Sequence, residues 1–294
     1  MQTLSYYSRP GIMTSAGRFA PVLAALPADV AELAAVAQGL LIHEFFAERY
    51  GVELSEADRA SVQIRPVNQV LEQVLARDDR PLTCAREPAT RLPVNCRHFT
   101  VLMTAMLRAQ GRPARARCGF GGYFTEGRFE DHWVCEYWDP AQASWKLIDA
   151  QIDERQLGLF GIDFDVTDVP RDRFLVAGQA WQRCRAGAAD PGLFGLSFLK
   201  DAGYPWIIGN MLRDAAALAR IELLPWDVWG AMTESDGLPG DELGALFDRL
   251  AALTQAPDDR HAELLRLGQD DALRVPPAVY NLQRGRDERI GVPS

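Results

Sequence analysis

Between Asn95 and Gly111 the chain carries Phe99, Val101, Leu102, Met103, Ala105, Met106 and Leu107, apolar positions that go almost all the way round a helix. A surface helix shows a single apolar stripe, so a helix apolar on nearly every side belongs in the centre of a fold. Asn95 is its natural N-cap, and Gly111-Arg-Pro113 ends it. The period then shifts toward strands: Ala114 to Phe124, His132 to Trp138, and Ser144 to Asp149. Gly127 marks one turn and Asp139-Pro140 the other. A buried helix followed at once by three short strands predicts an α+β fold, with a central helix against a small antiparallel sheet.

The flanking sequence reads as helical. Asp29 caps a predicted helix that runs to Tyr50, with Gly51 at its C′ position, and Pro66 opens a second helix to Ala76. After Gln151, helical pieces recur at about 171–186, 205–221, 239–254 and 258–268. The expected organisation is a helical N-terminal region (1–60), a core (61–155) and a helical C-terminal region (156–294) packed on the core. A net charge of −9 argues against nucleic acid or an anionic membrane as partner. No stretch approaches the ~20 apolar residues of a membrane span, and the first residues lack a basic region followed by an apolar run. The cysteines, at 84, 96, 118, 135 and 184, are odd in number and never spaced Cys-x-x-Cys. A disulfide framework is not expected, and a cytoplasmic location is. Oligomeric state is not legible.

Cys96 falls at the first position of the central helix, where unpaired N–H groups and the helix field stabilise a thiolate. The N–H of Cys96 itself could hold the oxyanion of a tetrahedral intermediate. A histidine must take the thiol proton, and His132 follows on a strand, with Asp149 ending the next one. Hairpin register tests this on paper. With Asp139 to Gln142 as the loop, His132 falls opposite Asp149. With Asp139 to Ser144 as the loop, Trp138 pairs with Trp145 and Asp149 lies one diagonal step from His132. Either register puts both side chains on one face, and Trp133, Cys135 and Tyr137 on the other. A one-residue slip would separate them.

Asn95-Cys96-Arg-His-Phe before a helix, then Asp131-His132-Trp133-Val134, then Trp145-Lys-Leu-Ile-Asp149, resemble the core of the transglutaminase-like superfamily over roughly residues 60 to 155. The resemblance implies a transglutaminase-like, papain-like core with Cys96 as nucleophile, His132 as general base and Asp149 as its orienter. Amide hydrolases, peptidases, acyltransferases and members without the triad all share this superfamily. Nothing matches the calcium-binding parts of animal transglutaminases, so glutamine–lysine cross-linking is not implied. The expected activity is cleavage or exchange of an amide, ester or thioester bond in a small molecule or peptide, most simply hydrolysis, with no metal or organic cofactor. An amide-forming acyltransferase is the alternative within chemistry, and a binding or scaffold protein the alternative outside it.

Other residues read as structural. Cys84, Cys118, Cys135 and Cys184 fit small buried hydrophobes, with Cys84 in a loop. His98 is two residues from Cys96 on one helix, and i, i+2 side chains do not face each other. His43-Glu44 begins a zinc-protease motif, but Ala47 stands where the second His is required. Gly119-Phe-Gly121-Gly122 has no helix after it and so is not a dinucleotide loop; these glycines let the backbone bend or be approached closely. The acidic run 161–168 has Asp168 where a calcium loop needs glycine, and reads as a solvated loop. Tyr204, Trp206, Trp226 and Trp229 fit core or a groove wall, and Arg65 and Asn68 could assist an oxyanion.

Overall fold

The helix that the sequence makes central spans Cys96–Ala109, and all of it but Ala109 is buried. The computed structural model describes residues 2–234 and 239–291. In chain order the helices are α1 (Gln2–Tyr7), α2 (Ala20–Ala24), α3 (Val30–Leu40), α4 (Glu56–Arg59), α5 (Val67–Arg77), α6 (Cys96–Ala109), α7 (Glu154–Phe160), α8 (Ala177–Arg185), α9 (Tyr204–Leu218), α10 (Asp241–Gln255) and α11 (His261–Leu267). The strands are β1 (Leu41–His43), β2 (Leu92–Val94), β3 (Ala114–Gly121), β4 (Phe129–Asp139), β5 (Ser144–Ile148), β6 (Phe174–Val176), β7 (Phe194–Leu196), β8 (Asp201–Ala202), β9 (Asp227–Val228), β10 (Ala278–Asn281) and β11 (Arg286–Arg289). The chain is an α+β fold. No helix among the described residues is long and apolar enough to cross a membrane.

Two compact units divide the chain: Met1–Ala116 with Val134–Val169, and Arg117–Trp133 with Pro170–Ser294. In the first, α6 is enclosed by apolar side chains of α2, α3 and α5 and by Cys135, Tyr137 and Ile148 of the β4–β5 hairpin. Phe99, Met103 and Met106 sit in this cluster at the i, i+4, i+7 spacing of one helix face. Thr104 closes the helix–hairpin contact with a hydroxyl bond to Cys135 Sγ at 3.3 Å. The hairpin is antiparallel with Trp138 opposite Trp145 and Cys135 opposite Ile148, the second of the two registers the sequence allows. Arg115 is stacked on Trp145 at 3.9 Å and paired with the buried carboxylate of Glu136.

The same unit departs from the sequence reading at one end of α3. Asp29 caps that helix as expected, accepting from Ala31 N at 2.9 Å and Glu32 N at 3.0 Å. The helix stops at Leu40 rather than Tyr50, and the chain continues as β1, paired in parallel with β2 from Leu41↔Leu92 to His43↔Val94. Leu41-Ile-His43 is buried throughout, so tertiary pairing overrides the helical periodicity there.

In the second unit, β6 pairs with β3 at Gly119–Gly121, β7 runs parallel to β4 at Phe129–Glu130, and β8 pairs with β7. β9, β10 and β11 form a separate antiparallel sheet. Helices α8, α9 and α10 pack together, with Trp181 against Phe247 at 5.5 Å. Arg117 is buried and forked onto Asp214 of α9 at 2.9 Å through two nitrogens. Strands β3 and β4 contribute residues to both units.

Candidate active site

Cys96 is the first residue of α6 and 6% exposed. Asn95 precedes it in extended conformation, the backbone an N-cap requires. The rest of this first turn is tied to the segment ahead of α5. Arg97 Nη1 donates to Arg65 O at 2.7 Å, and His98 Nε2 lies 2.8 Å from Ile64 O. A carbonyl can only accept, so the His98 proton is on Nε2. Nδ1 is then a lone pair, 2.9 Å from the Asn95 amide and 3.4 Å from Asn95 N–H. Two acceptors repel, so that amide presents its NH2 group to the ring. Burial, reinforced by the neighbouring Arg97 charge, holds His98 well below the ordinary imidazole pKa. His98 is therefore a neutral brace of the turn that carries Cys96. Arg65 contributes its carbonyl to the same brace.

Asp149, 1% exposed, lies one residue beyond the end of β5. Its N–H donates to Val166 O at 2.8 Å, and its Oδ1 accepts from Gln151 N at 3.1 Å. This turn leads into a buried polar chain. Gln151 Nε2 donates to Gln156 Oε1 at 3.0 Å, Gln156 Nε2 to Tyr50 Oη at 3.0 Å, and Tyr50 Oη–H to Asp153 at 2.8 Å. Burial raises the Tyr50 phenol far above its ordinary pKa, so it remains a donor. Phe99 of α6 and Gln151 both line a small cavity of about 10 Å³ with His43, Tyr50 and Asp153.

His132 lies in the other unit, on β4, and is 2% exposed. Its ring is walled by Phe124 at 4.7 Å, Tyr123 at 6.0 Å and Phe174 at 6.4 Å. A Cβ on Gly121 would come within 2.6 Å of the Phe124 ring, and one on Gly122 within 2.9 Å of the Phe129 ring. The glycine cluster thus admits aromatic rings at this end of β3. Beside the histidine, Asp131 is half-buried, its carboxyl pKa raised by desolvation, and it accepts from Asn210 Nδ2 at 2.7 Å. The aromatic wall gives no signal in the sequence beyond those glycines.

The structure thus places Cys96 and Asp149 within one unit, each on an element of the α6–hairpin core, and His132 on the part of β4 that belongs to the other. The Thr104–Cys135 bond sets the Cys135 face of β4 toward α6. Among the other thiols, burial pushes Cys135 up to about 12 and Cys184 up to about 11, well away from nucleophilic behaviour at neutral pH. Cys84 is half-buried in its loop, and its carbonyl accepts from Arg86.

No curated protein and no solved structure matches the chain. A family model does match, over residues 67–150, from the start of α5 to the turn that Asp149 opens. Its family joins cysteine-protease-like hydrolases and acyltransferases on one fold, and the matched stretch contains Cys96, His132 and Asp149 in that order. The matching model is that of the transglutaminase-like superfamily.

Proposed function

We propose that this protein is a thiol-dependent acyl-transfer enzyme, a hydrolase in its simplest form, acting on an amide, ester or thioester of a small molecule or peptide. The observation that carries the reading is a cysteine at the first position of a buried helix in a transglutaminase-like core, with its turn braced through Arg97 and His98. His132 takes the thiol proton, and Cys96 Sγ bonds to the carbonyl carbon. The N–H of Cys96 holds the oxyanion. On collapse the C–N, C–O or C–S bond breaks, and the leaving group takes the proton back from His132. Water, deprotonated by the same imidazole, then displaces the thiolate and releases the acid. An amine admitted in place of water would make the protein an amide-forming acyltransferase. Asp149 orients the imidazole through its second nitrogen.

Strand geometry sets a requirement on this reading. Cys135 faces α6, so strict alternation along β4 would turn His132 to the far face. The triad needs that alternation broken between His132 and Cys135, as a β-bulge does where strands aim side chains at active sites. The observed register sets position 149 opposite position 134, but β5 ends at Ile148. The Asp149 carboxyl is therefore aimed by its turn with Gln151 rather than by strand alternation.

Alkylation by a haloacetamide across pH, with the modified residue located by mass spectrometry, tests the reading. Selective modification of Cys96 well below pH 8, abolished in His132→Ala, is the expected result. In Asp149→Asn the fold is kept and turnover falls, because the base loses its tautomer. Cys96 reacting no faster than an unfolded-state thiol would leave the core as a scaffold and end the proposal.

A further inference from the structure

We infer that Glu44 is a specificity-determining residue of the Cys96 site, holding a cationic group that the acyl donor carries on a short aliphatic arm. The inference rests on the reading of Cys96 as nucleophile. β1 and β2 are in parallel register to His43↔Val94, and the pairing continues with Glu44 N donating to Val94 O at 2.8 Å. The next residues of the second segment are Asn95 and Cys96. Glu44 N is therefore held against Val94, two residues before the thiol in the chain.

This carboxyl is buried beyond its compensation. Its side chain is 9% exposed, and its ion-pair partner among the described residues is Arg59 of α4, at 3.9 Å and itself 48% exposed. Burial raises Glu44 to about 7, with Arg59 recovering only part of the loss. His43, on the same strand, has Nδ1 committed to Phe45 N–H at 3.2 Å, and His98 of α6 is held neutral by burial. An acid in this position is stabilised by a cation that arrives with the ligand. Phe45, next in the chain and 50% exposed, offers an apolar surface on which the stem of such an arm can lie. Nothing in the sequence drew attention to Glu44 except a zinc motif it fails to complete.

The test uses two haloacetamides of matched shape, one ending in a trimethylammonio group and one in the neutral tert-butyl analogue. Each alkylates Cys96 with loss of halide, and the quantity read is the ratio of their rates. A cation that returns the carboxyl even one pKa unit toward its ordinary value gains about tenfold. The expected ratio is therefore about ten at pH 8.5, where Glu44 is ionised. It falls as pH drops through about 7 and the carboxyl takes up its proton. In Glu44→Gln the ratio is near one at every pH, whatever happens to the absolute rates, and Glu44→Asp restores a preference. A ratio near one in the wild type, or a ratio that survives in Glu44→Gln, overturns the inference. Rapid labelling of Cys96 by the neutral reagent would still stand in those cases, so the two readings fail separately.

Discussion

His98 gives the protein a pH dependence of stability that can be worked out from the first turn of α6. Its ring is 1% exposed, beside Arg97, with Nε2–H on Ile64 O, and burial keeps it neutral in the folded state. In the unfolded chain the same imidazole takes up a proton near pH 6.5. Below that pH the unfolded state binds more protons than the folded one, so stability falls as pH falls, until the depressed folded pKa is reached. The slope approaches about 1.4 kcal/mol per pH unit below pH 6.5, for as long as the folded ring stays neutral. His98→Gln keeps a neutral donor for Ile64 O and removes the titration. At pH 8 the variant should be less stable than wild type by about 1–2 kcal/mol, the typical cost of imperfect repacking. As pH falls below 6.5 that deficit should narrow. Urea unfolding midpoints for both proteins across pH 4.5–8 measure the difference. Glu44 acts in the opposite sense, because its raised carboxyl loses stability as pH rises from its ordinary range through about 7. Both proteins share that contribution, so it cancels in the comparison. Parallel curves, separated by a constant at every pH, would refute the buried neutral imidazole and the brace built on it.

Two further substitutions probe the surroundings. Tyr50→Phe strips the hydroxyl from the chain that links Asp153, Gln156 and Gln151, leaving Gln156 Nε2 without its acceptor. A loss of about 1–3 kcal/mol in thermal or urea unfolding is expected, and an unchanged midpoint would show that the polar chain is slack. Gly119→Ala should prevent folding or cost at least about 3 kcal/mol. Its Cβ would sit 2.1 Å from Leu175 O, and β6 must leave β3 to make room. Gly111→Ala is the control. There φ is +73° with nothing within 4 Å, so only backbone strain of about 1 kcal/mol is at stake.

The elements legible in the sequence are those whose signals are local. Asn95, the all-round apolar helix and Gly111 delimit α6 to within a residue, and Asp29 caps α3 as read. Elements that exist only by virtue of a distant partner were not legible. β1 is an apolar run that continues a helical period, and its partner β2 lies some fifty residues further on. β6 occupies three residues at the start of a stretch read as one helix, and its pairing with Gly119–Gly121 is what makes it a strand. β11 is Arg-Asp-Glu-Arg, with no apolar alternation at all; it is extended because β10 lies beside it.

The site divides along the same line. Residue types and their order raised the expectation of a nucleophile, a base and an orienter, and hairpin length left two registers, of which the Trp138–Trp145 pairing is the observed one. The direction of a side chain on β4 was beyond reach, because period-two reasoning holds only while a strand is regular. Thr104 on Cys135 shows which face of the hairpin meets the helix. The first turn of α6 makes the complementary point. Asn95 and His98 engage one another, and His98 and Arg97 reach back to the carbonyls of Ile64 and Arg65. Three polar side chains at a buried helix end are costly unless satisfied. Here His98 and Arg97 tie the turn that carries Cys96, the proposed nucleophile, to the segment ahead of α5. Rigid support of that kind is what a nucleophile needs to meet a carbonyl carbon at bonding angle.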